Sequence, residues 1–383
     1  MPVTDTVSRI AKPIGLAPPR DRGLVAFVSR ICENVQHSNR EPKENPTMRL
    51  QLIAVMAIGL VGLLPPGLIA ADSVVLEPAG KCSNFFADSN TQLRYRLQHT
   101  APLKGRARWS FSLHQRTIAH GEMAVIAEAG KTIDIAFPLK TPYVKEGVVL
   151  QAQCSVAVYA DGEQEQKPIA THDKILWIFP RDPFVDRREW LKSLDITLFD
   201  PEGRTADVLE KAGVPFTLSR NVDSSDGIEQ GTLVIGEATA WRDHRSLGEV
   251  MVKAAARGLP VLCLAPGEGS IELPSAEETN MPAPTSVSFR RGDFIHEIDK
   301  RLDTDWRGDE KDATARLTIQ CDRGQVVVAS ARKPNGWIWL DVRYSQPRGR
   351  LLICGMPIIA QWDAHPASRY LFRGLLERLA ATK

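Results

Sequence analysis

Three short, mostly apolar runs in the second half of the chain each lead within four positions to an acidic residue. The runs cover 196–199, 232–236 and 261–264. Six residues that follow them could do chemistry: Asp200, Glu202, Glu237, Thr239, Gly267 and Glu268. In an open parallel sheet, ligands bind beyond the carboxyl ends of the strands, so these residues would line one crevice. Their carboxylates could hold a metal ion or serve as general acid and base, which would make the chain a hydrolase. The alternative is that they cap helices and lie in solvated loops, and we favour this second interpretation.

Two other patterns that could bind a metal or a phosphate fall short. His114 and His120 lie on different strands or in the turn between them, which is not the spacing of a zinc site. The stretch Gly267-Glu268-Gly269 is rich in glycine, but it lacks the Lys and the Ser or Thr of a phosphate loop. We therefore expect no metal and no cofactor.

The elements that would position these residues alternate between strand and helix from Asp195 onward. The helix pattern of 247–255 has apolar residues at positions i, i+3, i+4 and i+7, and Gly258 ends it. Strand patterns return in four segments: 317–320, 326–329, 337–342 and 351–354. Nearly continuous apolar strands between helices predict a parallel sheet covered on both faces, here an α/β domain over 184–383. Within it, 266–286 is rich in Pro, Gly and Glu and is predicted to be an exposed insertion loop.

The preceding segment, 73–180, alternates apolar and polar residues with period two. Leu93, Tyr95 and Leu97 form one such set, and turn signals such as Asp161-Gly162 separate the sets. Alternation of this kind means that one face of each strand is buried and the other is solvated. Short strands at this spacing predict an antiparallel β-sandwich of immunoglobulin type.

Two of the six cysteines are candidates for a disulfide. Cys82 and Cys154 are the only cysteines of the sandwich segment, and an oxidising compartment would allow them to pair. The alternative is two free thiols, because Cys82 lies in a predicted loop. Cys263 and Cys354 lie in predicted buried strands, so we expect them to be inert core residues.

Residues 48–71 have the pattern of a signal peptide. Met48 and Arg49 precede the apolar run 52–71, and small residues at its end would allow cleavage before Ala71 or Asp72. The alternative is an uncleaved membrane anchor, since about 20 apolar residues can span a bilayer. A proline pair near the end of the run weakens that alternative, because it breaks a helix. The prediction is an exported protein, periplasmic or extracellular, that touches a membrane only if this segment stays uncleaved.

Residues 1–47 precede this signal and are polar and rich in proline. A polar extension of that length is unusual before an apolar signal segment. We interpret 1–47 as a non-native extension with translation starting at Met48, and the alternative is a disordered segment.

The composition excludes one class of partner. The chain has 383 residues with 43% apolar and 25% charged residues, which is ordinary for globular domains. Its formal net charge is +2, without a long run of one sign. A nucleic-acid binder that tracks phosphates would show a basic stripe, so we expect no nucleic-acid partner.

The strand at 259–267 resembles the one that leads into the nucleophile elbow of class I glutamine amidotransferases, a flavodoxin-like α/β fold. That family has the motif G-x-C-x-G, and the alignment puts Cys263 at the first Gly and Ala265 at the nucleophile. His365-Pro366 resembles the family's His-Pro-Glu, with Ala367 in place of the Glu. The resemblance implies a vestigial site at Ala265, because a methyl group cannot attack an amide.

A second resemblance covers residues 90–381. Accessory regions of bacterial family-two glycoside hydrolases, the β-galactosidase-like proteins, join an immunoglobulin-like module to an amidotransferase-like module. The ending Trp177-Ile178-Phe179-Pro180, the stretch 305–309 and the final helix near Pro366 resemble signatures of these regions. No stretch here could supply the catalytic barrel of that family, which needs about 250 residues.

These resemblances imply an exported, non-catalytic accessory or binding protein whose partner is a carbohydrate or another exported protein. Trp337 and Trp339 alternate on one predicted strand and could stack on sugar rings, although such a pair is more often part of a core. The competing hypothesis is the hydrolase that uses the acidic residues at the strand ends.

Overall fold

The computed structural model describes most of the chain beyond residue 73. The described ranges are 74–80, 82–162, 167–223, 227–274, 281–303, 317–320, 326–329 and 338–381. The predicted extension 1–47, the predicted signal segment 48–71, the stretch 305–309 and Trp337 lie outside these ranges. Within them, no helix is both long and apolar enough to cross a membrane.

The first part of the described chain consists of strands alone. Its strands are β1 (Val74–Pro78), β2 (Asn84–Phe86), β3 (Asn90–His99), β4 (Leu103–Leu113), β5 (Arg116–Ala127), β6 (Thr132–Lys140), β7 (Leu150–Ala160) and β8 (Ala170–Phe179). They form one sheet of order β1-β3-β6 and a second of order β2-β8-β7-β4-β5. Neighbouring strands are antiparallel except β2 and β8, which are parallel.

The two sheets share one apolar core. The alternation in β3 has the predicted effect, because Leu93, Tyr95 and Leu97 are at most 5% exposed while their neighbours face solvent. Residues of the second sheet, such as Phe111 and Leu176, belong to the same buried cluster. Period-two patterning therefore accounts for this part of the fold.

The second part mixes strands and helices. Its helices are α1 (Arg188–Ser193), α2 (Arg204–Lys211), α3 (Leu247–Ala256), α4 (Ile295–Ile298) and α5 (Pro366–Ala380). Its strands are β9 (Ile196–Phe199), β10 (Thr217–Ser219), β11 (Thr232–Ile235), β12 (Pro260–Leu264), β13 (Gly269–Glu272), β14 (Ser286–Arg290), β15 (Leu317–Gln320), β16 (Val326–Ala329), β17 (Trp339–Ser345) and β18 (Arg348–Cys354). The chain is thus a β part followed by an α/β part.

The main sheet of the α/β part has seven strands in the order β10-β9-β11-β12-β18-β17-β14. The five strands from β10 to β18 are parallel, and β17 and β14 continue the sheet in antiparallel pairings. After β9 the chain goes first to β10 on one side and then to β11 on the other. This reversal makes the carboxyl ends of β9 and β11 the switch point of the sheet.

Helices cover both faces of this sheet, which explains why β12 is fully buried. Leu262 and Leu264 point into the cluster that contains α5, whereas Val261 and Cys263 point into the cluster that contains α3. The cluster on the α5 side also contains Trp339, which is 1% exposed and packs edge-to-face on Phe294. Trp339 is therefore a core residue and cannot stack on a sugar.

The predicted exposed loop 266–286 is wrong over part of its length. β13 lies inside it, pairs in parallel with β15 and forms a small sheet of order β13-β15-β16. Ile271 and Leu273 are 2% and 4% exposed. Two apolar residues among Pro, Gly and Glu gave no strand signal, because their pairing partner lies far along the sequence.

The predicted disulfide between Cys82 and Cys154 is not formed, and both side chains are free thiols. Cys154 points into the core of the β part, whereas the Sγ of Cys82 lies 3.8 Å from Nδ1 of His365 in the α/β part. Burial raises the pKa of Cys154 to about 11 and that of Cys82 to about 12. The two thiols thus lie in different surroundings and are not bonded to each other.

We expect both thiols to remain free in oxidised protein. The protein is unfolded in the presence of an alkylating reagent and digested without reduction. Mass spectrometry should then find Cys82 and Cys154 alkylated, each in its own unlinked peptide. Cys354 serves as the matched control, because it is a buried thiol of the α/β core. A peptide that links Cys82 to Cys154 would contradict the structure.

Candidate functional site

The sheet order brings the residues predicted to line a crevice to one edge. Asp200 follows β9, Glu237 follows β11 and Ala265 follows β12, and these three strands are adjacent. Backbone hydrogen bonds join the loops, since the amide of Ala238 donates to the carbonyl of Ala265 at 3.0 Å. The amide of Gly267 donates to the carbonyl of Thr239 at 3.2 Å. The residues are therefore near one another, and the loops that carry them are bonded together.

Asp200 serves as a cap for helix α2. Its carboxylate is 2% exposed and accepts a hydrogen bond of 2.8 Å from the amide of Ala206 in the first turn of that helix. A carboxylate in this position satisfies an amide that has no partner within the helix. A Cβ added at Gly236 would stand 3.0 Å from both Asp200 Oδ1 and Thr205 Oγ1. Gly236 therefore lets the backbone after β11 pass close to Asp200 and Thr205, and a larger residue there would crowd both side chains.

Glu237 also bonds to backbone groups. Its Oε2 accepts from the amide of Ile359 at 2.7 Å, and its Oε1 accepts from the amide of Ala360 at 3.0 Å. Its own amide donates to Thr205 Oγ1 at 2.9 Å. Charge-assisted bonds of this kind are about twice as strong as neutral ones. Glu237 thus fastens the loop after β18 to the switch point.

The remaining polar residues of the predicted crevice do not converge. Glu202 forms an ion pair of 2.5 Å with Arg204, two residues away. Thr239 is 2% exposed and donates from Oγ1 to the carbonyl of Gly236 at 2.8 Å. Glu268 is exposed to solvent. Among the residues that the structure describes, no group of three or more His, Cys, Asp and Glu is arranged to hold a metal ion.

The turn after β12 differs from the elbow of the amidotransferase family. Ala265 is 4% exposed, and its amide donates to the carbonyl of Cys354 at 2.6 Å. A nucleophile elbow joins a strand to a helix, whereas here the next element is strand β13. A residue with left-handed backbone does lie nearby, but it is Ala238 in the loop after β11, with φ of 59°. The position aligned with the nucleophile is therefore a buried methyl in an ordinary loop.

The thiol and imidazole singled out from the sequence lie elsewhere. Cys263 is 0% exposed, and burial together with the neighbouring Cys354 raises the pKa of its thiol. His365 precedes α5 and contacts Cys82, as described above. A reactive cysteine needs a lowered pKa and access to substrate, so Cys263 has neither property of a nucleophile.

Sequence reasoning missed a buried ion pair in the antiparallel half of the main sheet. Asp341 and Arg350 are 2% and 5% exposed and are joined by two parallel bonds of 2.8 and 2.6 Å. Arg343 donates to the same carboxylate at 2.9 Å. Burial opposes the ionisation of Asp341, but the hydrogen bonds from both arginines hold its pKa below the usual range. The apolar patterns of the two strands did not predict this pair, because Asp341 lies on β17 and Arg350 on β18.

It also missed the polar contacts between the β part and the α/β part. Asn84 is 2% exposed and exchanges hydrogen bonds with Asp303, in the segment after α4. Arg369 of α5 lies over the ring of Phe86 at 4.8 Å. These partners are separated by more than two hundred residues, so no motif could connect them.

Comparisons with known proteins do not assign a family. No family model matches the chain, and no curated protein matches it. The matching solved structures described next are distant, with TM-scores too low to carry an argument about fold or function.

Three of these structures illustrate the distance. A cycloisomaltooligosaccharide glucanotransferase from Paenibacillus sp. has 9% identity and a TM-score of 0.23, covering 49% of this chain and 27% of its own. A β-glucosidase from Listeria innocua has 10% identity and a TM-score of 0.20, covering 28% and 16%. The CARDB domain of the PF1109 protein from Pyrococcus furiosus has 10% identity and a TM-score of 0.21, covering 28% and 94%.

Proposed function

We propose that this chain is an exported, non-catalytic accessory or binding protein. In this proposal an immunoglobulin-like sandwich is followed by an α/β module of the class I glutamine amidotransferase type that has no catalytic residues. Its partner is a carbohydrate or another exported protein. The export signal and the link to polysaccharide degradation rest on the sequence patterns at 48–71 and 177–180.

One observation carries the non-catalytic part of the proposal. The carboxylates of buried Asp200 and half-buried Glu237 at the switch point accept hydrogen bonds from backbone amides, Asp200 from Ala206 and Glu237 from Ile359 and Ala360. A general acid or base must reach the proton that it transfers, and a metal ligand must have a free lone pair directed at the metal. Both carboxylates are held in place by these bonds, and Asp200 is in addition only 2% exposed, so substrate does not reach it in this structure.

The proposal predicts binding without turnover. The chain starting at Asp72 should bind one or more polysaccharides on a glycan array, because an accessory module contributes affinity and leaves the chemistry to another protein. The same preparation should release no reducing sugar from the glycans that it binds.

The matched control for this experiment is Asp200→Asn combined with Glu237→Gln, which keeps side-chain shape and removes both charges. Circular dichroism first confirms that the variant is folded. The folded variant should then bind the same glycans as the original chain. An array with no bound glycan would contradict the carbohydrate partner. Release of sugar that disappears in the variant would contradict the non-catalytic role.

A further inference from the structure

A carboxylate shared by two arginines lies in the antiparallel half of the main sheet. Asp341 of β17 accepts two hydrogen bonds from the guanidinium group of Arg350 and a further one, of 2.9 Å, from Arg343. Arg350 lies on β18 and is the cross-strand neighbour of Arg343. Two cations and one anion make up this group, so it carries an excess of one positive charge.

A second carboxylate is shared in the same way. Glu297 of α4 forms ion pairs with Arg290 of β14 and with Arg378 of α5, the latter at 3.9 Å. Both guanidinium groups also lie over the ring of Phe294, with their central carbons 5.0 and 4.6 Å from its centre. This group therefore has an excess of one positive charge as well.

The two groups meet at the end of α5. Nη1 of Arg350 donates to the main-chain carbonyl of Arg378 at 2.9 Å. Burial lowers the pKa of Arg378, and repulsion from Arg350, Arg343 and Arg290 lowers it further. The carbonyl end of α5 offsets only about half a charge, so positive charge remains in excess here. The six residues, called the arginine cluster below, are Arg290, Glu297, Asp341, Arg343, Arg350 and Arg378.

Two arginines of the cluster are open to solvent. The side chains of Arg343 and Arg290 are 47% and 43% exposed. Arg343 donates to Asp341 from Nη2 at 2.9 Å and from Nε at 3.4 Å, and its Nη1 has no hydrogen-bond partner among the residues that the structure describes. Cross-strand pairing places Ser286 opposite Arg343 and Ser288 opposite Asp341, so both serines lie on the sheet face that carries the cluster. Guanidinium donors and two hydroxyl-bearing residues thus border one exposed surface.

We propose that the arginine cluster binds a divalent oxyanion, the phosphate or sulfate group of a ligand. A planar guanidinium group donates two parallel hydrogen bonds to two oxygens of such an anion, which makes arginine the usual residue for its recognition. Arg343 and Arg290 contact the anion, because they are the exposed arginines, and the buried pair of Asp341 with Arg350 holds Arg343 in place. A dianion matches the excess charge of the two groups and relieves the repulsion between them, whereas a single carboxylate would match only half of it.

Titration with sodium sulfate and, separately, with sodium phosphate at pH 7.5 tests this site. Sodium chloride keeps the ionic strength constant, so that general screening of charges does not change. The backbone amide resonances of β14 and of Arg343 should shift and saturate with at least one of the two anions, with a dissociation constant of about 1 mM or lower. The anion that binds more tightly shows whether the natural ligand carries a phosphate or a sulfate group.

Arg343→Gln should weaken this binding about tenfold, because it removes one charge-assisted donor. The variant should fold, since Asp341 keeps both hydrogen bonds from Arg350. Arg290→Gln removes the other exposed cation and should have a similar effect, so it decides the question if Arg343→Gln fails to fold. The matched control is Arg96→Gln, which removes an arginine of β3 whose side chain is 62% exposed, and it should bind as the original chain does.

Three results would each overturn the proposal. The first is the absence of a saturable shift with both anions. The second is undiminished binding by a folded Arg343→Gln or Arg290→Gln variant. The third is an equal loss of binding in Arg96→Gln, which would show that only the overall charge of the protein matters.

Discussion

Replacing Asp341 by alanine should lower the free energy of unfolding by about 3–5 kcal/mol, because it leaves the buried guanidinium of Arg350 without its bidentate partner. A charge taken out of water and left unpaired costs more than the pair itself stabilises. Denaturant unfolding at pH 7 measures the loss directly. The effect should fade in acid. The pKa of Asp341 is lowered in the folded state, so its contribution is present above about pH 4 and is lost as the pH falls further.

Two controls separate the unpaired charge from the loss of a side chain. Asp134→Ala removes an exposed strand aspartate whose ion pair with Arg96 is 3.9 Å long, and it should change stability by about 1 kcal/mol or less. Combining Asp341→Leu with Arg350→Met should recover much of the lost stability, since apolar pairs often replace buried ion pairs without cost. A loss below about 1 kcal/mol for Asp341→Ala would show that water reaches this carboxylate.

Replacing Glu237 by alanine should lower the free energy of unfolding by about 2–4 kcal/mol. The variant loses two charge-assisted hydrogen bonds, and the amide of buried Ile359 is left without its acceptor. Thermal and denaturant unfolding monitored by circular dichroism measure this change. Glu237→Gln keeps one acceptor oxygen and should lose less.

The outcome at Glu237 distinguishes a structural carboxylate from a catalytic one. Catalytic residues often lower the stability of the folded protein. Replacing one of them therefore often leaves the free energy of unfolding unchanged or raises it. Glu268→Ala serves as the neutral reference at the same edge, because its side chain is exposed and should contribute within about 0.5 kcal/mol. Unchanged or increased stability of Glu237→Ala would contradict a structural role and favour the hydrolase hypothesis.

The strands and helices that bury continuous or periodic apolar residues could be predicted from the sequence. The bounds of β15 and β16 were predicted correctly, and so was the start of α5 at Pro366. β10 and β13 were missed because they have three and four residues and little apolar pattern of their own. Such strands form only because the sheets already exist, so tertiary pairing decides them and local propensity does not.

The sequence predicted where the candidate site lies, but not whether its carboxylates are free or hydrogen-bonded to the backbone. Topology rules place Asp200, Glu237 and Ala265 at one edge of the sheet, and the structure does so. Their partners, however, are backbone amides, and the amides of Ile359 and Ala360 lie more than a hundred residues from Glu237. A side chain that bonds to distant backbone gives no sequence motif. Whether a carboxylate is free or engaged therefore emerges only from the packed structure.

Ammonia release from glutamine tests the central claim, the absence of chemistry at this edge, most directly. The original chain should release no more ammonia than a heat-denatured control, because Ala265 offers no nucleophile and Asp200 and Glu237 are bound to backbone. Ala265→Cys should not restore activity, since the new thiol would be buried, and burial raises the pKa of a thiol and keeps substrate away from it. Sustained ammonia release by the original chain, abolished by Glu237→Gln, would contradict the account.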